Sequence, residues 1–177
     1  LEILETGEIF FMLKGKSPAE SRVESRYVVM PDHANHYGTA FGGTIMSWID
    51  MVAVMVAQRH AECEAVTISV DRLTFIEPIY VGDHVLLKAS VNYAGKTSME
   101  IGVQVLKENP YQKETRRATT AYLTFVALDE NKRPQAVPPV LPETEEERRR
   151  FENAKIRIAA MKDLSAKLKQ KSMEEGL

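Results

Sequence analysis

Apolar and polar positions along this chain fall into blocks with distinct periods. Residues 22–29 carry Val23, Tyr27, Val28 and Val29, and Pro31 follows, the pattern of a first strand closed by a proline loop. A polar, glycine-rich loop, 32–43, leads into residues 44–58, where apolar side chains from Ile45 to Val56 cover nearly every helical face without Pro or Gly. That pattern predicts a helix buried on all sides. Four more strands are predicted at 65–75, 84–93, 98–107 and 118–128, the first alternating Val66, Ile68 and Val70 with Thr and Ser. Gly82-Asp83 and Gly95-Lys96 mark tight turns, and Asn109-Pro110 begins a longer loop. Such short polar connections favour antiparallel neighbours.

Both ends differ from this middle. Ile9 to Leu13 form an apolar cluster broken by Gly15, Ser17 and Pro18, which reads as an arm with a short helix or turn. A proline-rich connector, 134–142, precedes a second helix at 143–171, which Thr144 and Glu147 cap as a capping box. Glu145 to Glu147 precede Arg148 to Arg150, the order the helix dipole favours, and the apolar stripe is thin. The last ten or so residues are expected to fray. The chain thus divides into an arm (1–20), a single domain (21–133) and a connector with a tail helix (134–177). The fold class is α+β, and a sheet with a helix on one face leaves its edge or other face for a second copy.

Composition narrows the function. The 177 residues carry a net charge of -2 with 44% hydrophobic and 27% charged residues, the mix of an ordinary globular domain and not of a basic nucleic-acid binder. A lone Cys63 excludes an intrachain disulfide and points to a reducing, cytoplasmic setting. No stretch reads as a secretory leader or reaches the ~20 apolar residues of a membrane span. No Walker, Rossmann or Gly-x-Ser-x-Gly motif is present.

Asp50 is the most informative residue, a carboxylate in the most apolar helix of the chain. Burial there demands either a structural partner or a role as base or nucleophile. Gly42-Gly43 open that helix, where free N–H groups either receive an oxyanion or simply pack tightly. Asn35, in the loop before it, either donates to a carbonyl or water or bonds its own backbone. His33 and His36 lack further ligands for a metal.

Asn35, Gly38, Phe41-Gly42-Gly43 and Asp50, followed by Val66-Thr67-Ile68-Ser69-Val70-Asp71, Phe75-Ile76-Glu77-Pro78-Ile79, Val81-Gly82-Asp83, Lys96-Thr97-Ser98-Met99-Glu100, Thr124-Phe125-Val126-Ala127-Leu128 and Pro142-Glu143-Thr144, resemble the hotdog-fold acyl-CoA thioesterases of the cytosolic acyl-CoA hydrolase type. The resemblance spans residues 20–165. It implies a central helix wrapped by a curved antiparallel sheet, homodimers with shared active sites, and trimers of dimers (hexamers). It also implies hydrolysis of acyl-CoA to fatty acid and CoA without a cofactor or metal. Asn35 and Asp50 would be the catalytic pair, contributed by opposite subunits, and Gly43, with Gly42, would supply the oxyanion N–H. Thr39 stands where some relatives carry Asp or Asn. Together with Arg72, Lys96 and Ser98 it forms the expected substrate-binding set, and Arg116 and Arg117 are further candidates for the CoA phosphates by charge alone. Lys107 and Lys113 read as solvated, and Met46, Trp48 and Met55 as possible acyl contacts. The competing class is a non-catalytic acyl-CoA or nucleotide-binding regulator on the same fold.

Overall fold

The computed structural model describes residues 13–109, 111–112 and 114–174. The predicted arm lies mostly outside the described residues, as do Pro110 and Lys113. A short helix α1 (Pro18–Ser21) precedes strand β1 (Val23–Val28), a 3-10 turn (Pro31–His33) and the long helix α2 (Gly42–Ala61). Strands β2 (Glu64–Phe75), β3 (His84–Ala94), β4 (Ser98–Asn109) and β5 (Glu114–Leu128) follow, then helix α3 (Glu145–Glu174). All strands pair antiparallel in one five-stranded sheet of order β1-β3-β4-β5-β2. Helix α2 touches every strand, so the sheet wraps it as the resemblance implies.

The predicted strands are all present with small differences at their ends. Helix α2 departs from expectation in a way that matters. It is not buried all round: Ile45, Trp48, Ile49, Val52, Ala53, Val56 and Ala57 sink into the sheet, while Met46, Met51 and Met55 lie on an exposed face. One chain of this size has only one sheet to offer the helix, so the second apolar stripe stays uncovered. Trp48 belongs to the core, stacked 4.5 Å from Tyr27 with His33 edge-on at 5.0 Å, and is therefore no groove contact.

Strand β2 departs too. Register shifts between Thr67 and Ser69 and between Val70 and Arg72 break its alternation against β5. Thr67 is opposite the buried Phe125 and so faces α2, whereas Val66 points the other way. Val66, Ile68 and Val70 are all exposed along this edge strand.

The opposite face of the sheet is polar where α3 lies on it. Asn92 and Glu100 are buried there, and Asn92 Nδ2 donates to Glu100 Oε1 at 2.9 Å. A Cβ on Gly102 would sit 2.5 Å from that same nitrogen, so only glycine leaves room for the amide. Arg157 of α3 closes the network: Nε and Nη2 reach Glu100 at 3.0 and 2.6 Å, and the guanidinium lies 3.8 Å over the Tyr122 ring. Phe151 packs on Tyr93 and Ala154 is fully buried, whereas from Met161 to Met173 α3 is exposed. The predicted capping box forms, with the Glu147 N–H donating to Thr144 Oγ1 and the Thr144 N–H to Glu147 Oε2. Helix α3 continues to Glu174, and the last residues of the expected frayed end lie outside the described residues.

His60, near the end of α2, is fully buried and ties three segments together. Its Nε2 is 2.9 Å from the Pro138 carbonyl, which can only accept, so Nε2 carries the proton and Nδ1 accepts from Ser21 Oγ at 3.4 Å. Burial pushes the imidazole below its usual 6.5, although the Pro138 carbonyl alone would raise it. The unfolded chain therefore takes up this proton first. Stability is full above 6.5 and falls as pH drops below it, so the denaturant midpoint of the natural chain should decline more between pH 7.5 and 5 than that of His60→Gln.

The Glu100 carboxylate makes a second prediction. Arg157→Met strands a buried charge and should cost about 3 kcal/mol of unfolding free energy, and adding Glu100→Gln should recover much of it, as chemical denaturation would show.

Candidate functional site

Two arms of the chain converge at the start of α2. The loop before it is held by Asn35, whose Oδ1 accepts from the backbone N–H of Tyr37 at 2.9 Å and of Thr39 at 3.3 Å. Its Nδ2 donates to Thr39 Oγ1 at 3.0 Å. The carboxamide thus organises its own loop, the local option open from the sequence. An amide carries two N–H donors, so one remains for an outside acceptor. Thr39 spends its hydroxyl on Asn35, and its backbone bridges to Tyr80.

Gly42 and Gly43 are the first two residues of α2, with Phe41 as an N-cap that supplies no side-chain bond. Their N–H groups find no acceptor among the described residues. The Phe41 ring folds over Gly43, where a Cβ would come within 2.5 Å of it. Gly42 faces Phe75, 3.3 Å from its ring by the same measure. Both glycines therefore allow tight packing, Gly43 against the half-exposed Phe41 ring. Beside them is a cavity of about 360 Å³ lined by Thr39, Ala40, Gly42, Ile45 and residues 75–79.

Asp50 corrects the sequence reading. Its side chain is exposed in the single chain rather than sunk in apolar surroundings, because it shares the outward face of α2 with Met46, Met51 and Met55. It is not without a partner: Thr67 Oγ1 donates to Asp50 Oδ1 at 2.6 Å. Asp50 and Asn35 share no hydrogen bond within one chain among the described residues.

The other expected substrate contacts do not gather here. Lys96 and Ser98 are at the β3–β4 turn, beside Val126. Phe75 and Gly42 lie toward the opposite end of the sheet, where Phe75 pairs with Thr119. Val126 and Thr119 are seven residues apart on β5, about 23 Å of strand, so a single chain does not bring these groups onto one small substrate centre. Arg72 points to the outer face, opposite Tyr122. Arg116 is held by Glu114 at 2.5 Å, with Glu77 at 3.7 Å, and Glu114 raises its pKa. Lys107 is not merely solvated, since it reaches Glu77 at 3.1 Å and the Pro78 carbonyl at 3.0 Å.

Thr67 is the residue that the sequence reading missed as a partner for the carboxylate. Reading Val66, Ile68 and Val70 as the core side leaves Thr67 to solvent; the register instead pairs Ala65 with Ala127 and Thr67 with Phe125, so Ala65 and Thr67 share the helix side. The available signal was a Thr among β-branched residues on a strand following an Asp-bearing helix, which is too common to single it out.

A model of the thioesterase superfamily matches residues 37–114. An uncharacterized acyl-CoA thioester hydrolase of Bacillus subtilis is 46% identical over 128 residues, covering 72% of this chain and 74% of its own. An acyl-CoA hydrolase of Staphylococcus aureus, solved in complex with butyryl coenzyme A, coenzyme A and coenzyme A disulfide, superposes with a TM-score of 0.84 at 37% identity, covering 92% of this chain and 99% of that one. The same enzyme has been solved with an aspartate, an asparagine and a threonine each replaced by alanine. A hexameric acyl-CoA thioesterase without ligand superposes with a TM-score of 0.85 at 38% identity, covering 87% and 99%.

If the Thr67 hydroxyl orients the Asp50 carboxylate, removing it should weaken the site without emptying it. Thr67→Ala should lower kcat for thioester hydrolysis about tenfold while leaving the thermal midpoint nearly unchanged; Thr67→Ser, which keeps the hydroxyl, should restore most of it.

Proposed function

This chain belongs to the thioesterase superfamily, with the hotdog fold, and from that premise we propose that it hydrolyses acyl-CoA thioesters to the free acid and CoA. The observation that carries the catalytic part is the Asp50–Thr67 pair. The hydroxyl fixes Oδ1 at 2.6 Å and leaves Oδ2 for chemistry. Spacing adds support. The three residues replaced in the Staphylococcus aureus enzyme are asparagine, aspartate and threonine, separated by 15 and 17 residues. Asn35, Asp50 and Thr67 repeat those types at the same separations.

In the proposed reaction, Asp50 Oδ2 takes a proton from a water whose oxygen bonds the thioester carbon. Alternatively the carboxylate attacks that carbon itself and water cleaves the resulting anhydride; both routes need the same group. The negative charge that develops on the carbonyl oxygen is met by the N–H of Gly43, with Gly42, and by the spare amide hydrogen of Asn35. Collapse breaks the C–S bond, and the proton returns to the departing thiolate. The acyl chain would pass the cavity beside Thr39, Phe75 and Ile76. Nothing in this scheme calls for a cofactor or metal.

The site needs a second chain. Met46, Met51, Met55, Val66, Ile68 and Val70 form an exposed apolar surface running over α2 and the unpaired edge of β2. A copy of the chain paired antiparallel along that edge would cover these side chains, bury Asp50, and bring the partner's loop across it. Three such dimers would make a hexamer, the assembly of the thioesterase solved without ligand. Among the described residues no helix is long and apolar enough to cross a membrane.

The test is thiol release across acyl-CoA chain lengths. The natural chain should turn over, and Asp50→Asn should lower kcat about 10²–10⁴-fold with the assembly intact by size exclusion. Binding of acyl-CoA without release would instead point to a regulator on this fold. Near-normal turnover by Asp50→Asn would remove the aspartate from the mechanism.

A further inference from the structure

Strand β2 reaches Thr67 through two irregularities rather than along a straight ladder. From Phe75 back to Arg72 it keeps one register, Phe75 opposite Thr119 and Arg72 opposite Tyr122. Asp71 then enters between Arg72 and Val70 without a counterpart on β5, and Ile68 does the same between Ser69 and Thr67. Each is a bulge, and together they move the register by two residues. The Phe75 end of the strand is pinned. The Ile76 and Glu77 N–H groups both donate to the Ala118 carbonyl, Thr119 Oγ1 donates to the Thr74 carbonyl, and the Phe75 ring packs on Gly42. A lost bulge is therefore taken up toward Thr67. Were β2 regular from Phe75 back, Ser69 would stand opposite Phe125 and Thr67 opposite Ala127. Thr67 would keep its face but lie about 7 Å further along the edge, two strand residues away. Its 2.6 Å bond to Asp50 Oδ1 would be out of reach.

One side chain braces both bulges. Asp71 Oδ1 accepts from Ser69 Oγ at 2.6 Å, and Asp71 Oδ2 accepts from Thr124 Oγ1 at 2.7 Å. Ser69 belongs to the short stretch between the two inserted residues, and Thr124 is its opposite on β5. A carboxylate presents acceptors only, and here each oxygen meets one hydroxyl donor. The half-buried Asp71 thus ties the second bulge to the segment before it and, across the ladder, to the neighbouring strand. It does so from the outer face of the sheet, on the side away from Asp50 and α2.

We infer that Asp71 is a positioning residue for the proposed reaction: by bracing both bulges of β2 it holds Thr67 where its hydroxyl meets Asp50. Asp71 touches no substrate and acts only through Thr67. The catalytic half of this inference rests on the thioesterase reading; the half that concerns register does not.

The experiment is a double-mutant cycle on thiol release by the assembled protein, with Asp71→Ala, Thr67→Ala and the two combined. Asp71→Ala should lower kcat about tenfold, the loss expected of Thr67→Ala, with KM changed by less than about twofold. Because the two residues act in series, the combined variant should be no slower than Thr67→Ala. A residue that only supports the fold would add its own loss. Asp71→Asn keeps an acceptor for Ser69 and offers an N–H to a turned Thr124 hydroxyl, so it should restore most of the rate. Thr124→Val removes one of the two bonds at nearly constant volume and should give an intermediate loss, a second route to the answer if Asp71→Ala does not fold. Crystal structures of Asp71→Ala and Thr124→Val should show Thr67 Oγ1 drawn away from Asp50, beyond hydrogen-bond distance in the alanine variant. Unchanged turnover in both variants, additive losses in the cycle, or a Thr67–Asp50 bond intact in both crystals would each overturn the inference. A natural chain that releases no thiol would defeat the thioesterase reading instead, and the crystal structures would then decide the register by themselves.

Discussion

The hydrogen bond from Thr67 to Asp50 couples the middle of the central helix to the edge strand of the sheet. Everything proposed for catalysis depends on that coupling. It places a carboxylate beside an unpaired strand edge and among apolar side chains that one chain leaves exposed. Covered by a second chain, the carboxylate would become a partnered charge in a low-dielectric groove, where each hydrogen bond to it is worth more. The fold makes the carboxylate available, and association would make it reactive.

The two faces of the sheet do different work. On the inner face, Val91, Ile101, Leu123 and Phe125 meet α2 in an apolar core. On the outer face, Asn92, Glu100, Arg157 and Tyr122 form a polar lock that seats α3. A buried ion pair adds little net stability over an apolar contact, but breaking it is costly, so the lock specifies where α3 lies more than how tightly it is held. Placing α3 there also brings Arg149 and Arg150 of its first turns over that face.

Much of this was legible along the chain. The alternation at 98–107, the tight turn at Gly95-Lys96 and the Thr144/Glu147 capping box each follow from short-range chemistry, and each is present. What was not legible depends on long-range geometry. The alternation in β2 reads equally well with Val66 or with Ala65 and Thr67 toward the helix, and only the pairing with β5, Ala65 to Ala127 and Thr67 to Phe125, decides for Thr67. The apolar richness of α2 signals burial on every face, but the chain covers only one, so Asp50 is exposed where a buried group was expected. Trp48 illustrates the reverse case: a large aromatic beside a candidate site is more often core, and here it stacks on Tyr27. Arg72 was expected to meet phosphate from its charge alone; its place on the outer face became visible only once the strand register was known.

The central claim, that each active site is completed by a second copy of this chain, is tested most directly by subunit complementation. Asn35→Ala and Asp50→Ala proteins, each inactive alone, are mixed, unfolded and refolded together. If Asn35 of one chain serves Asp50 of the other, mixed dimers contain one intact site, and about a quarter of the natural thiol-release activity should return. Recovery of no activity from dimers shown to be mixed would contradict the account.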